Sequence, residues 1–407
     1  MVAKRRLYNP IMLGLVFLAL GLLTSPTIVA GYHILLLIPT IILFAKGQRI
    51  ELPKSSYILI ALFAWGVVCN IVNLDELAKP PKAFQELKFY LFGVIFLIPI
   101  KYYLKKQQNR HTRFILSTLF VTIIAAFIVG VSKAYLGFDL VKMQAGDFKP
   151  RSDGFLNYMR YGYGSAFLFL LGWAYYLRGG KYRRWLNKKL FLTALALCLA
   201  AIFAAKTRGA LLAVLVGLPF FYLKYKPKLA GSIIALGSIF AGVIIYFSFF
   251  TTEPAPSRFL NINDGSNKKR MSQFYTATKA IAERPVFGWG AEQFTYRVSE
   301  LKKKYSVWSQ DYAGHTHNIF LEHAVSFGIL GAILLFGFFA LWFYEMLRLK
   351  TDMSWAVATY IIAFVVGGQV EMLFENLNSH LLCFIYSLSH VIPALKAEGI
   401  TLKPKRS

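Results

Sequence analysis

The chain has little of what most soluble enzymes depend on. It has three cysteines in 407 residues. Cys69, Cys198 and Cys383 each lie within or at the edge of an apolar block, so they read as small core residues rather than a disulfide framework or metal site. Acids are scarce, 19 against 46 lysines and arginines. No Asp-x-Asp pair is present, which leaves the common metal-diphosphate device without obvious ligands. A phosphate-cradling loop and a glycine-rich dinucleotide turn are also missing, so nucleotide has no recognisable binding route. Internal repeats, low-complexity segments and a soluble domain are absent too. Any reaction must draw its driving force from the substrate itself or from a gradient.

What the chain does have is apolar sequence. Its residues are 57% hydrophobic and its mean hydropathy is +0.50. The apolar residues come in blocks of roughly 17–25, the length a helix needs to cross a ~30 Å hydrocarbon core. Backbone polar groups in lipid must be satisfied within the segment, so the blocks are expected to be helices, and no alternating barrel pattern is visible. The fold expected is all-α, a polytopic membrane protein with about 12 transmembrane helices. The blocks fall near 11–24, 27–45, 56–73, 89–104, 114–135, 161–177, 190–205, 209–223, 229–250, 317–345, 354–371 and 379–395. Three regions follow: 1–250 with helices 1–9, a large helical loop at 251–316, and 317–407 with helices 10–12 and a basic tail. In the loop, Phe274, Thr278 and Ile281, then Phe294, Val298, Leu301 and Tyr305, predict two amphipathic helices. The N-terminus has the outline of a signal peptide but no small-x-small cleavage site, so an uncleaved first helix is expected.

The net charge of +27 invites a nucleic-acid partner, but its distribution argues against one. Cations crowd into alternate connections: Lys4/Arg5/Arg6, Lys101/Lys105/Lys106, Arg183/Arg184/Lys188/Lys189 and Lys403/Lys405/Arg406. Glu51, Glu345, Asp352 and Glu398 are the acids that share that side. This asymmetry is the positive-inside rule, and it places both termini in the cytoplasm and the large loop outside. On the outer side cations and acids nearly balance.

Ionisable residues beside membrane-embedded helices are functional suspects. The strongest set is His315-Thr316-His317-Asn318, where a helix N-terminus favours anions and keeps an imidazole neutral, as a general base must be. An interfacial histidine pair that merely satisfies helix-end groups is the plain alternative. A metal set of His315, His317, Glu322 and His323 is weaker, because the spacing does not imply convergence. Lys206-Thr207-Arg208-Gly209 forms a tight outer turn between two blocks, and Gly209 permits close approach; simple snorkelling is the alternative. Arg151, Arg160, Arg270 and Arg284 lie on the same outer side, and their guanidinium forks suit phosphate. Glu371 and Glu375 are placed to act as acids, as hydrogen-bond acceptors for sugar hydroxyls or as partners of these arginines.

These residues resemble a known family. His317-Asn318, a nine-residue spacer and Gly328-Ile329-Leu330-Gly331 fit the His-(Asn/Ser/Gln), spacer, Gly-x-x-(Gly/Thr/Tyr) signature of bacterial O-antigen ligases. Thr207-Arg208-Gly209 is similar to that family's Ser/Thr-Arg turn. Arg284-Pro285-Val286-Phe287-Gly288-Trp289-Gly290 resembles its Asn-Pro-x-x-Gly-x-Gly segment, with Arg in place of Asn. The resemblance implies a GT-C-like membrane glycosyltransferase of the bacterial inner membrane with a periplasmic active site. It would move polysaccharide, with inversion, from undecaprenyl pyrophosphate to the lipid A–core, with no nucleotide sugar, cofactor or metal. His317 would be the base, and Arg208 and Arg270 would grip the pyrophosphate. Arg151, Arg160, Arg284, His315, Asn318 and Lys206 would serve substrate binding.

Three alternatives remain open. An O-antigen polymerase uses the same carrier and a similar topology. A glycan transferase of the same superfamily acting on protein would carry further periplasmic elements. A transporter of an anionic solute predicts polar residues at mid-depth in broken helices.

Overall fold

The computed structural model describes residues 2–106, 109–145, 151–178, 187–249, 265–309, 314–374 and 376–398. Sixteen α-helices make up almost all of it. They are α1 (Val2–Gly21), α2 (Pro26–Ala45), α3 (Lys54–Val72), α4 (Pro80–Glu86), α5 (Lys88–Ile95), α6 (Leu97–Lys105), α7 (Asn109–Val131) and α8 (Tyr158–Arg178). Then follow α9 (Lys188–Ala204), α10 (Arg208–Leu223), α11 (Pro227–Phe249), α12 (Gly265–Glu283), α13 (Gln293–Lys304), α14 (Ile319–Arg348), α15 (Asp352–Gly367) and α16 (Asn376–Ala397). A two-residue antiparallel pair, Phe138–Asp139 with Gln144–Ala145, is the extended structure among the described residues.

Among those residues, six helical spans are long and apolar enough to cross a membrane: Pro26–Ala45, Lys54–Val72, Pro80–Lys105, Arg110–Leu136, Ile319–Arg348 and Leu377–Ala397. Leu7–Gly21, Arg208–Leu223 and Asp352–Gly367 are shorter apolar helices. Large apolar side chains such as Ile34, Ile41, Ile333 and Phe336 are exposed on the outer helix faces. Water would not tolerate such stripes, but lipid does. Inside, Trp342, Tyr360, Tyr386, Phe338 and Phe167 are fully buried and stack in edge and offset contacts.

The helix ends follow local chemistry. Ser25 caps α2 by accepting the Thr27 amide, with Pro26 in the first turn, and Thr351 and Ser354 form a capping box on α15. The block expected at 89–104 begins earlier, at Pro80, and is divided near Leu87 and Phe96. Pro99 accounts for the second division, since it has no N–H for the carbonyl of Ile95.

Both loop helices are present, but the inner face of α12 is not the expected one. Phe274 and Ile281 are half-buried and Thr278 is exposed, while Ser272, Gln273, Thr276, Ala277 and Ala280 are buried. Small alanines let the helix lie close to Trp289 and Val325, and the Trp289 indole donates to the Ala280 carbonyl at 3.0 Å. On α13 the expected stripe faces inward at Phe294, Val298 and Leu301, while Tyr305 follows the helix end, half-buried, with its hydroxyl donating to Glu283.

The helix α14 is interrupted at Phe327 (φ −128°, ψ 15°) and Gly328 (φ 71°, ψ −179°). The segment 284–290 fills the break. Trp289 N–H donates to Val325 O at 2.8 Å, Gly290 N–H to Ser326 O at 3.0 Å, and Ile329 N–H to Pro285 O at 2.8 Å. The Trp65 indole takes the Phe327 carbonyl at 2.8 Å. Carbonyls released by the break are thus satisfied internally, which a membrane-level break requires. Only glycine fits at 328: the conformation is forbidden to L side chains, and a Cβ there would overlap the Pro285–Val286 backbone.

Candidate active site

The His317 turn is built by its neighbours. Asn318 caps α14, its side-chain oxygen accepting the Phe320 and Leu321 amides at 2.9 and 3.0 Å. Its amide nitrogen reaches Gln369 O and Oε1 at 3.2 and 3.1 Å, and Ile319 N–H donates to Gly368 O at 2.8 Å. These bonds dock the start of α14 on the hairpin that follows α15. Below the turn, the buried Glu322 accepts the Thr316 amide at 2.8 Å. His317 itself sits at φ +57°, a left-handed conformation held by contacts on both sides, as strained residues at functional sites commonly are.

The consequence is a compact cluster. His317 Nδ1 lies 3.2 Å from both carboxylate oxygens of Glu371. His315 Nε2 lies 3.3 Å from Glu371 Oε1, and the Arg270 guanidinium is 3.6 Å from Oε2. The His317 amide donates to His315 Nδ1 at 3.1 Å, which puts the His315 ring proton on Nε2, facing Glu371. By the same logic His317 donates Nδ1–H to the carboxylate. Burial pushes His315 down to about 4, against the pull of Glu371 and with help from the charges of His317, Arg270 and Arg160. Burial alone would raise Glu371. The hydrogen bond and charge of His317, followed by His315 and Arg270, hold its carboxyl below its usual range. A carboxylate on Glu371 between the Arg270 guanidinium and a neutral His315 ring is therefore the resting state near neutral pH.

Arg208 begins α10 beside this cluster. Gly209 packs against the Tyr163 hydroxyl and lies 2.8 Å, by an added Cβ, from Val370, the neighbour of Glu371. Tyr163 also donates to Gly367 O at 3.3 Å, so the starts of α8 and α10 meet the end of α15. Thr207 does not cap α10 with its side chain; its hydroxyl donates to Tyr158 O at 3.2 Å instead. The first turn of that helix carries the partial positive charge of a helix N-terminus. Lys206 precedes them in a left-handed conformation at φ +50°. Arg151 stacks on Tyr158 at 4.2 Å, and Ser152 N–H bonds Ala204 O at 2.9 Å, which brings that loop to the same turn. Arg160 is near enough for its charge to act on His315 and Glu86.

Arg284 is placed elsewhere. Its guanidinium donates to Asn73 Oδ1 at 2.9 Å and to Glu76 at 2.8 and 3.0 Å, and it stacks on Trp289 at 4.0 Å. It ties the 284–290 segment to the end of α3. The four-residue metal set is also divided. His323 bonds the Tyr90 hydroxyl at 2.8 Å and Ile319 O at 2.7 Å, while Glu322 holds Thr316. A different trio, His315, His317 and Glu371, has its donor atoms within 4.8 Å of one another. The hydrogen bonds above assign protons to the nitrogens that face Glu371, and Arg270 already supplies positive charge, so the trio fits a proton-handling network better than a ligand set. Glu371 was legible only as an acid near these cations; its contact with the His317 ring depends on the hairpin after α15. Glu375 lies outside the described residues.

No curated protein matches the chain. Residues 193–336 match the family model described as O-antigen ligase, a stretch that contains Arg208, Arg270, His317 and the α14 break. By that match about a third of the chain is similar to the O-antigen ligase family.

Proposed function

We propose that the protein is an O-antigen ligase. It transfers polysaccharide from undecaprenyl pyrophosphate to the lipid A–core at the periplasmic face of the bacterial inner membrane. The proposed arrangement is GT-C-like, with about twelve crossings and both termini in the cytoplasm. The observation that carries the proposal is the His317–Glu371 pair at 3.2 Å beside Arg270.

In this scheme His317 Nε2 takes the proton of the acceptor hydroxyl. The hydroxyl oxygen bonds to the anomeric carbon from the face opposite the carrier, and the carbon–oxygen bond to pyrophosphate breaks with its electron pair on the phosphate. Configuration inverts. Glu371 orients the ring and stabilises the imidazolium as it forms, the role of the acid in a nucleophile–base–acid triad. Arg208, the N-terminus of α10 and Arg270 oppose the charge growing on the pyrophosphate. With that charge met by guanidinium groups, the reaction needs no divalent cation. Arg151, Arg160, His315 and Lys206 line the approach of the anionic substrates. Asn318 and Arg284 act through position, one holding the His317 turn and the other the segment that closes the α14 break.

In cells lacking their own ligase, His317→Ala and Arg208→Ala are each expected to abolish capped lipopolysaccharide while the protein still inserts. Normal lipopolysaccharide ladders from His317→Ala would remove the base from the scheme.

A further inference from the structure

Away from His317, the end of α2 and the helix α6 line a small, partly open cleft with Gln48, Arg49, Ile98, Lys101, Tyr102 and Lys105. Its cations already grip an oxyanion. Lys101 and Lys105 clasp the two carboxylate oxygens of Glu398, at 2.5 and 2.6 Å. Hydrogen bonds from these two ammonium groups, Lys101 first, hold the Glu398 carboxyl below its usual range. Arg49 lines the same cleft, which therefore carries three cations, two of them paired with Glu398. The Lys101 side chain is only 16% exposed, and Lys106 is tied to the Tyr102 hydroxyl at 2.7 Å, which leaves Tyr102 fixed along the cleft wall. Immediately along α2, Ile41 and Phe44 are exposed to the surroundings. A cationic cleft just past the end of a helix whose last turns expose apolar side chains matches a phospholipid in both of its parts.

We propose that this cleft binds the phosphate headgroup of an anionic phospholipid of the adjoining leaflet, with Glu398 standing in the phosphate position when lipid is absent. Arg49, Lys101 and Lys105 contact the phosphate oxygens, and the acyl chains run along Ile41 and Phe44. Basic pockets between membrane helices recognise anionic headgroups in this way. The site is independent of the His317 chemistry.

The test uses the full-length protein in nanodiscs of phosphatidylglycerol with phosphatidylcholine, read by native mass spectrometry of retained lipid. The wild type is expected to retain one phosphatidylglycerol, and Arg49→Gln/Lys101→Gln/Lys105→Gln to lose it. Glu398→Gln, which removes the competing carboxylate, is expected to raise retention several-fold. A parallel arm with inorganic phosphate and phosphatidylcholine alone separates the sources: thermal stabilisation by free phosphate equal to that by phosphatidylglycerol would mark an anion site without lipid specificity and overturn the proposal. Retention by the triple variant at the wild-type level would overturn it as well, and so would unchanged or lower retention by Glu398→Gln. The circular-dichroism melt of each variant reports folding, and the single Lys101→Gln variant carries the comparison if the triple variant melts early.

Discussion

Glu371→Gln isolates the proposed catalytic dyad. The substitution keeps size and one acceptor oxygen but removes the charge that faces His317. At 3.2 Å a full imidazolium–carboxylate attraction is about 5 kcal/mol at an effective dielectric of 20. A proton roughly half transferred in the transition state would use about half of that, so kcat is expected to fall about 10²-fold at ~1.36 kcal/mol per decade. KM should change little, because the charge difference arises only as the proton moves. The assay is transfer from purified carrier-linked polysaccharide to lipid A–core, with single-turnover rates separating chemistry from product release. Arg270→Gln, which removes the guanidinium 3.6 Å from the same carboxylate, serves as a second perturbation of the cluster. A Glu371→Gln enzyme within threefold of wild-type kcat would refute the electrostatic role assigned to the carboxylate.

Gly328→Ala should destabilise by roughly 3 kcal/mol or more, since the conformation admits no side chain and the Pro285–Val286 backbone occupies the space. Gly337→Ala, where an added Cβ meets only Ile58 at 3.7 Å, should melt close to wild type in the same detergent assay. Asn318→Ala removes the cap of α14 and the clamp on Gln369; a loss of about 1–2 kcal/mol and a lower kcat are expected, with Asn318→Asp restoring the cap and most of the melting temperature. Stability should also follow pH through His315. Its ordinary value of 6.5 falls to about 4 in the fold, so between these values the unfolded chain takes a proton that the folded chain refuses. Stability therefore drops as pH falls through that window, by on the order of 3 kcal/mol at most, and levels off below it. The depressed Glu371 adds to the loss only further down, as pH falls through its folded value. Melting curves of His315→Gln should be flatter between about pH 6.5 and 4; an unchanged slope would remove His315 from the account.

Hydrophobic block length located most helices, because lipid imposes one solution on a long apolar stretch. The interruptions were less visible. Gly328 stood in the signature without a stated role, since its positive φ is set by a segment some forty residues earlier in the chain that pairs with α14 across the break. Similarly, helical spacing points to Phe274, Thr278 and Ile281 as the inner stripe of α12. Close packing on Trp289 and Val325 selected the alanine face instead. In the site, His317, His315 and Arg270 were identifiable from residue type and position, and they do converge. Glu371 could not be paired with His317 from sequence, because Asn318, Gly368 and Gln369 make the docking that joins them. Arg284 shows the converse: an arginine in a family-like motif whose partners, Asn73 and Glu76, come from a distant turn.

The central claim is that His317 removes the acceptor proton. Purified wild-type protein, given carrier-linked polysaccharide and lipid A–core in the presence of EDTA, is expected to form the capped product without nucleotide. His317→Ala in the same mixture is expected to bind both substrates and form essentially none. Transfer by His317→Ala at a rate comparable to wild type, or a strict divalent requirement in the wild type, would contradict the account.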